Sequence, residues 1–255
     1  MPLTNKTVIV TGGARDIGKA VSLKLAAEGA NVAINYFGSE EGAKATLAQI
    51  EAAGGRALIL KGDMTLAADV QALVDTALST FGGPIGALVN VAGGMVARKT
   101  LGEMDETFFD HVMRLNLNSV FLTTKAAVPH MAAGAAIVNL SSQAGKDGGG
   151  PGATAYATAK GAIMTFTKAM AKELGPNGIR VNALCPGMIG TTFHDVFSKD
   201  EVRARVAAGT PLRREGRAPE IADAVAYLAS PRSGSTVGIS LAVDGGMQHL
   251  RLRPE

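Results

Sequence analysis

The run Tyr156-Ala157-Thr158-Ala159-Lys160 sets a phenol and an ammonium at i and i+4, on one face of a helix. Alanines and Gly161 leave that face uncrowded. A phenol ionises near pH ~10, so a tyrosine that moves protons near neutrality needs positive charge close by, and Lys160 is placed to provide it. Taken alone, the same spacing also describes a surface pair with no chemistry. Ser142 ends an apolar run just ahead of a glycine-rich loop, where its hydroxyl could polarise a carbonyl oxygen, and Ser141 competes for that role. Asn116, in Leu115-Asn116-Leu117-Asn118-Ser119, is polar on an otherwise apolar helical face. It is either a packed, satisfied amide or part of a proton relay.

A second group of residues suits an anionic ligand. Thr11-Gly12-Gly13-Ala14-Arg15-Asp16-Ile17-Gly18 follows a β-branched run and opens a helical pattern, where glycines allow a tight turn and let backbone approach a pyrophosphate at a helix N-terminus. An ordinary glycine-rich turn would look similar. Asn90-Val91-Ala92-Gly93 has small residues that leave room for a ribose, with an asparagine able to pin nearby backbone. Asp63, followed by Met64, is placed to accept from an adenine amino group, although a surface turn would use the same aspartate.

The elements that must carry these residues alternate along the chain. Apolar runs predict strands at 6–11, 31–36, 57–61, 87–91, 136–140, 179–184 and 239–243. Helical spacing predicts helices from Ile17 to Ala26, Glu40 to Ala53, Leu66 to Thr80, about Asp105 to His130, Ala153 to Leu174 and Pro219 to Ala229. The strands lack polar alternation, as expected when helices cover both faces of a parallel sheet. The pattern predicts an α/β fold, a Rossmann-type doubly wound parallel sheet forming one domain over 1–255, with a substrate-covering segment around 188–212. Ligands of such sheets sit beyond the strand C-termini, which is where each of the residues above falls.

In this order, Thr11-Gly12-x-x-x-x-Ile17-Gly18, Asn90-x-Ala92-Gly93, Asn116, Ser142, Tyr156-x-x-x-Lys160 and Pro186-Gly187 resemble the short-chain dehydrogenase/reductase family over essentially the whole chain. The resemblance implies an NAD(P)-dependent oxidoreductase moving hydride between nicotinamide and a carbonyl or alcohol carbon. Tyr156 would be the general acid or base and Ser142 would hold the reacting oxygen. Lys160 would grip the nicotinamide ribose and lower the tyrosine pKa, and Asn116 would position a relay water. Pro186, Gly187, Ile189 and Thr191 would flank the nicotinamide. The chain departs from the family at Asp16, where a second glycine is usual, and at Val91, where asparagine is commoner. Asp16 is expected to turn outward or to cap the helix. The interval from Ser142 to Tyr156 is also a residue longer than usual, which favours Ser142 over Ser141.

Tyr36 stands at the end of the second strand, where an NAD-selecting aspartate would sit, and Arg15 could meet a 2′-phosphate. NADP(H) is therefore favoured, while Glu40 and Glu41 keep NAD(H) open. Arg98, Lys99 and His194 on the substrate rim suggest an anionic or hydroxyl-rich substrate. The strings 92–99, 148–152 and 192–195 also resemble reductases of the keto-deoxyuronate derived from alginate. A 3-oxoacyl thioester reductase is the alternative, needing an apolar groove beside Met188, Phe193 and Val196, and a catalytically silent dinucleotide-sensing regulator is a rival of another class.

The formal charge is only +3 and aromatic residues are scarce, so the arginines at 213, 214, 217, 251 and 253 read as solvated surface and no nucleic-acid partner is expected. His111, His130 and His249 lack ligand spacing, and no metal is expected. The opening residues lack a signal peptide's apolar stretch, no apolar run approaches a membrane span, and Cys185 is the single cysteine, which together predict a cytoplasmic protein. Leu241-Ala242-Val243-Asp244-Gly245-Gly246 resembles the family's tetramer-forming edge, which implies a homotetramer.

Overall fold

The computed structural model describes residues 3–248; His249, Arg251 and Arg253 lie outside the described residues. Seven strands, β1 (Thr7–Thr11), β2 (Asn31–Tyr36), β3 (Arg56–Lys61), β4 (Ile85–Asn90), β5 (Met131–Leu140), β6 (Arg180–Pro186) and β7 (Ser240–Val243), form one sheet in the order β3-β2-β1-β4-β5-β6-β7. All six pairings are parallel. The chain direction across the sheet reverses between β1 and β4, which opens a crevice beyond their C-terminal ends.

Strand side chains alternate between two buried faces. Val8, Val10, Val32, Ile34 and Val89 pack with Val21 and Leu25 of α1 (Asp16–Ala27) and with Ile221 and Val225 of α10 (Ala218–Ala229). Ile9, Ala33, Leu88 and Ile137 point the other way, against Leu73 and Val74 of α3 (Ala67–Phe81) and Leu174 of α7 (Thr154–Leu174). Covering both faces is what made these strands unbroken apolar runs; each fully buried Val, Leu or Ile contributes roughly 1.5–3 kcal/mol. The remaining helices are α2 (Glu40–Ala52), α4 (Glu106–Met113), α5 (Ser119–Ala127), α6 (Ala144–Asp147), α8 (Thr192–Phe197) and α9 (Asp200–Gly209). Among the described residues, no helix is long and apolar enough to cross a membrane.

The single helix expected from about Asp105 to His130 is interrupted. A π-helical turn at Arg114–Asn118 separates α4 from α5, and a 3-10 turn at Val128–His130, with Pro129, ends the segment. The cause lies at Asn116, whose side-chain amide donates to the Val112 carbonyl four residues back at 2.9 Å and enters the helical ladder in place of a backbone donor.

Candidate active site

Beyond Leu140 the chain runs on as an extension of β5: Ser141 N donates to Leu184 O at 2.8 Å and Gln143 N donates to Pro186 O at 2.9 Å. Extended backbone sends successive side chains to opposite sides, and this alternation gives the two serines different work. Ser141 is buried and its hydroxyl donates to the Lys160 carbonyl at 2.7 Å, fixing α7 to the sheet. Ser142 faces the crevice, where its Oγ accepts from Ala144 N at 3.1 Å and hydrogen-bonds the Tyr156 hydroxyl.

Tyr156 is half-buried at the start of α7, and burial pushes its phenol up to about 12, partly offset by the Ser142 hydrogen bond. Lys160, one turn on, is buried; its Nζ lies 5.6 Å from the Tyr156 ring centroid and donates to Leu140 O at 2.8 Å. Burial brings the lysine down to about 8. For the phenol, desolvation outweighs the Ser142 hydrogen bond and favours the protonated form.

Asn116 is fully buried with both ends of its amide in use. Nδ2 donates to Gly94 O at 2.8 Å and Val112 O at 2.9 Å, while Oδ1 accepts from Gly94 N at 3.0 Å. The side chain is thus a clamp on the turn after β4, with both amide hydrogens in use and one acceptor position of Oδ1 taken. Gly93 beside it must be glycine: a Cβ there would stand 2.6 Å from Asn116 Oδ1 and 3.3 Å from Lys160 Nζ, at a backbone φ of 154°.

The crevice, about 1380 Å³, runs from Tyr36 and Arg15 at one end to Ser142 and Tyr156 at the other. Gly12, Arg15, Asp16, Ile17, Gly18, Tyr36, Asp63, Met64, Ala92, Gly93, Pro186, Gly187, Ile189 and Thr191 all line it. At Gly18 a Cβ would lie 2.0 Å from Gly12 O, so helix and loop meet there backbone to backbone. Asp63 is held by Thr65 N at 2.8 Å. Asn90 does not line the crevice. Its amide is buried, donating to Asn139 Oδ1 at 2.9 Å and accepting from Thr123 Oγ1 at 2.7 Å, so it belongs to the core between sheet and helices.

Asn35, not singled out from the sequence, organises the glycine loop instead: Oδ1 accepts from Gly12 N at 3.1 Å and Nδ2 donates to Gly62 O at 2.9 Å. Its position inside an apolar strand run was the available signal, since a buried amide there needs partners. Asp16 neither turns outward nor caps α1; it adopts φ 51° and its carboxylate reaches Thr192. His111, expected as surface or packing, is exposed at the crevice rim.

Arg98 and His194 lie on the crevice wall, each with a partner within the chain. Arg98 lines the crevice, but its Nε donates to Phe197 O and its Nη1 to Pro151 O, both at 2.9 Å. Lys99 Nζ lies 4.6 Å from the Phe108 ring centroid. Burial lowers the His194 pKa and favours its neutral form, and its Nδ1 is 3.0 Å from Ser198 Oγ. Aromatic surface lies beside them: the Phe193 ring stands 5.8 Å from Tyr156 and 5.1 Å from Phe197.

A family model described as Enoyl-(Acyl carrier protein) reductase matches residues 12–248. A 3-oxoacyl-[acyl-carrier-protein] reductase of Staphylococcus aureus is 38% identical over 244 residues, covering 95% of this chain and 98% of the relative. The solved short-chain dehydrogenase/reductase from Serratia marcescens BCRC 10948 superposes with a TM-score of 0.92 at 36% identity, over 97% of this chain and 100% of that one. A blue fluorescent protein from a metagenomic library, solved with NADPH, gives 0.91 at 35% identity, over 97% and 99% of the two chains. With these likenesses spanning the sheet and crevice alike, the chain belongs to the short-chain dehydrogenase/reductase family of nicotinamide-dependent oxidoreductases.

Proposed function

We propose that the chain is an NADP(H)-dependent reductase of carbonyl substrates with an apolar arm, of which a 3-oxoacyl thioester is the best fit. The observation that carries this reading is the reacting corner itself, where Ser142 and Tyr156 face Phe193 and the neighbouring cations are turned to other partners. A sugar-derived keto acid would want those cations free. The S. aureus relative named above supports the acyl reading.

The crevice fits a dinucleotide on its own chemistry. Glycine at 18 and 93 leaves backbone surface that a Cβ would obstruct, and Lys160 has no acidic partner among the described residues, so its remaining donors suit ribose hydroxyls. At the adenosine end Arg15 is exposed beside Tyr36 and Phe37, while Glu40 and Glu41 pair with Lys44 at 2.8 and 3.4 Å and do not line the crevice. The acidic groups that kept NAD(H) open are thereby occupied, which supports NADP(H), as does the NADPH held by the metagenomic relative.

When bound, the reduced nicotinamide supplies hydride to the carbonyl carbon. Ser142 donates a hydrogen bond to the carbonyl oxygen, and Tyr156, protonated throughout the neutral range, delivers the proton that this oxygen takes up. Lys160 opposes the phenolate charge left behind, and Tyr156 regains its proton from solvent through the open crevice.

We also infer a homotetramer, supported by apolar surface at the β7 edge, where Val237 and Ile239 are 43% and 36% exposed. The function is tested by following NADPH and NADH oxidation with a 3-oxoacyl thioester, a diketone, simple sugars and keto-deoxyuronate. Thioester turnover with NADPH is expected. Turnover of keto-deoxyuronate alone would return the sugar-acid reading, preference for NADH would overturn the cofactor choice, and dinucleotide binding without turnover would favour a sensor.

A further inference from the structure

The least expected residue of the dinucleotide loop makes its contacts on the substrate side. Asp16 Oδ1 accepts from Thr192 N at 3.0 Å and Oδ2 accepts from Thr192 Oγ1, joining positions 176 residues apart. Arg15 Nε, at 4.0 Å, is the nearby cation. The bond is made from backbone at φ 51°, a conformation that glycine adopts without strain and aspartate does not, so the side chain is kept there against a local cost.

Thr192 is the first residue of α8, and Thr191 before it supplies no side-chain cap. Asp16 therefore satisfies an orphan N–H of this short helix from across the crevice. The other end of α8 is held by the same device, with Arg98 donating to Phe197 O at 2.9 Å. Between these two ties α8 presents Phe193 to Tyr156 and His194 to Ser198. Arg203 of α9 adds a third tie, to Asp195 at 2.5 Å and Glu215 at 2.7 Å.

We propose that Asp16 is a positioning residue that clasps α8 through Thr192, coupling occupancy of the dinucleotide site to the seating of Phe193 against Tyr156. The inference rests on the reductase reading for its catalytic consequence only. A dinucleotide lying along the glycine loop orders Asp16, and through it the segment that closes the substrate side.

The test is a double-mutant cycle of Asp16→Gly and Thr192→Val, read in two ways. The first is tryptic cleavage after Lys199 and Arg205, both exposed, with and without NADPH. Wild type is expected to be protected by NADPH; Asp16→Gly, which removes both bonds, loses about fivefold of that protection, Thr192→Val, which keeps the backbone bond, loses about twofold, and the double substitution adds nothing to Asp16→Gly. The second is kinetics with the carbonyl substrate, where Asp16→Gly and the double variant raise KM about fivefold and Thr192→Val about twofold, with kcat changed less than KM, while the thermal midpoint of Asp16→Gly does not fall because left-handed strain is relieved. Unchanged protection, additive effects of the two substitutions, or a lowered midpoint with cleavage spread over the whole chain would each overturn the clasp. If wild type turns over no carbonyl substrate, the reductase reading falls, and the cleavage cycle, which needs only NADPH, still decides the clasp.

Discussion

Tyr156 and Lys160 are both shifted by burial, in opposite senses, and the two shifts define how the site responds to pH. Each favours the neutral form: the phenol moves up to about 12 and the ammonium down to about 8. Below pH 8 Lys160 keeps its charge in the folded protein, and as pH rises through about 8 the charge is lost, which weakens the ribose contact proposed above. The kcat/KM for NADPH, which reports the free enzyme, is therefore expected to fall above about pH 8, and Lys160→Met to remove the break along with most activity. Initial rates from pH 6 to 9.5 check this; a flat profile through pH 9 would contradict it. Stability moves the other way. Between about 8 and the ordinary lysine value of 10.5 the unfolded chain binds a proton that the folded chain lacks, so unfolding free energy rises with pH across that window. Tyr156→Phe tests the acid directly: kcat should drop by about 10³-fold with NADPH affinity retained.

At the scale of elements, the crevice is closed by short pieces tied across it by side chains on carbonyl oxygens. Arg98 joins the loop carrying Pro151 to the end of α8, through two hydrogen bonds at an exposed site. Arg98→Ala should raise substrate KM several-fold and cost about 1 kcal/mol of stability, and Arg98→Lys should not rescue KM, because an ammonium lacks the planar fork that reaches both carbonyls. Steady-state kinetics and thermal unfolding of the two variants decide it. The buried Asn90–Asn139 pair is a different kind of tie. Asn90→Ala removes the donor to Asn139 Oδ1, while Thr123 Oγ1 keeps Ser119 O and Asn139 Nδ2 keeps Thr167 Oγ1, and should lower unfolding free energy by about 1–2 kcal/mol, with the NADPH Kd within about threefold of wild type. A large loss of affinity would return Asn90 to the cofactor site.

These ties also mark where sequence reading stopped. The seven strands were legible because Val8 to Val10, Val32 to Ile34 and Leu88 to Val89 are buried on both faces and leave no polar gap. That Tyr156 and Lys160 share one face was legible from spacing, since one helical turn fixes it, whereas their proposed role in proton transfer came from the family resemblance. α8 and α9 were not foreseen, being short and without a buried residue that would mark a periodic apolar stripe. The roles of Asn90, Asn116 and Arg98 depend on which carbonyl or amide lies opposite in space, and no local pattern encodes that.

For the molecule as a whole, the two edges of the sheet differ in a way that bears on assembly. β3 ends in Arg56 and Lys61, both exposed, which discourage another strand from pairing there. β7 has no such charge: Ser240–Val243 is half-buried along its length, and Val237, Ile239 and Tyr227 beside it are exposed. An apolar, uncharged strand edge is either an aggregation hazard or an interface, and the second reading agrees with the tetramer inferred above. Light scattering at micromolar concentration should give about 104 kDa, four times the 26.0 kDa chain. Val237→Glu combined with Ile239→Lys desolvates two charges if that edge is buried between copies, so the mass should halve while circular dichroism is unchanged. A variant that stays tetrameric would move the interface elsewhere on the molecule, and a monomeric wild type would remove it altogether.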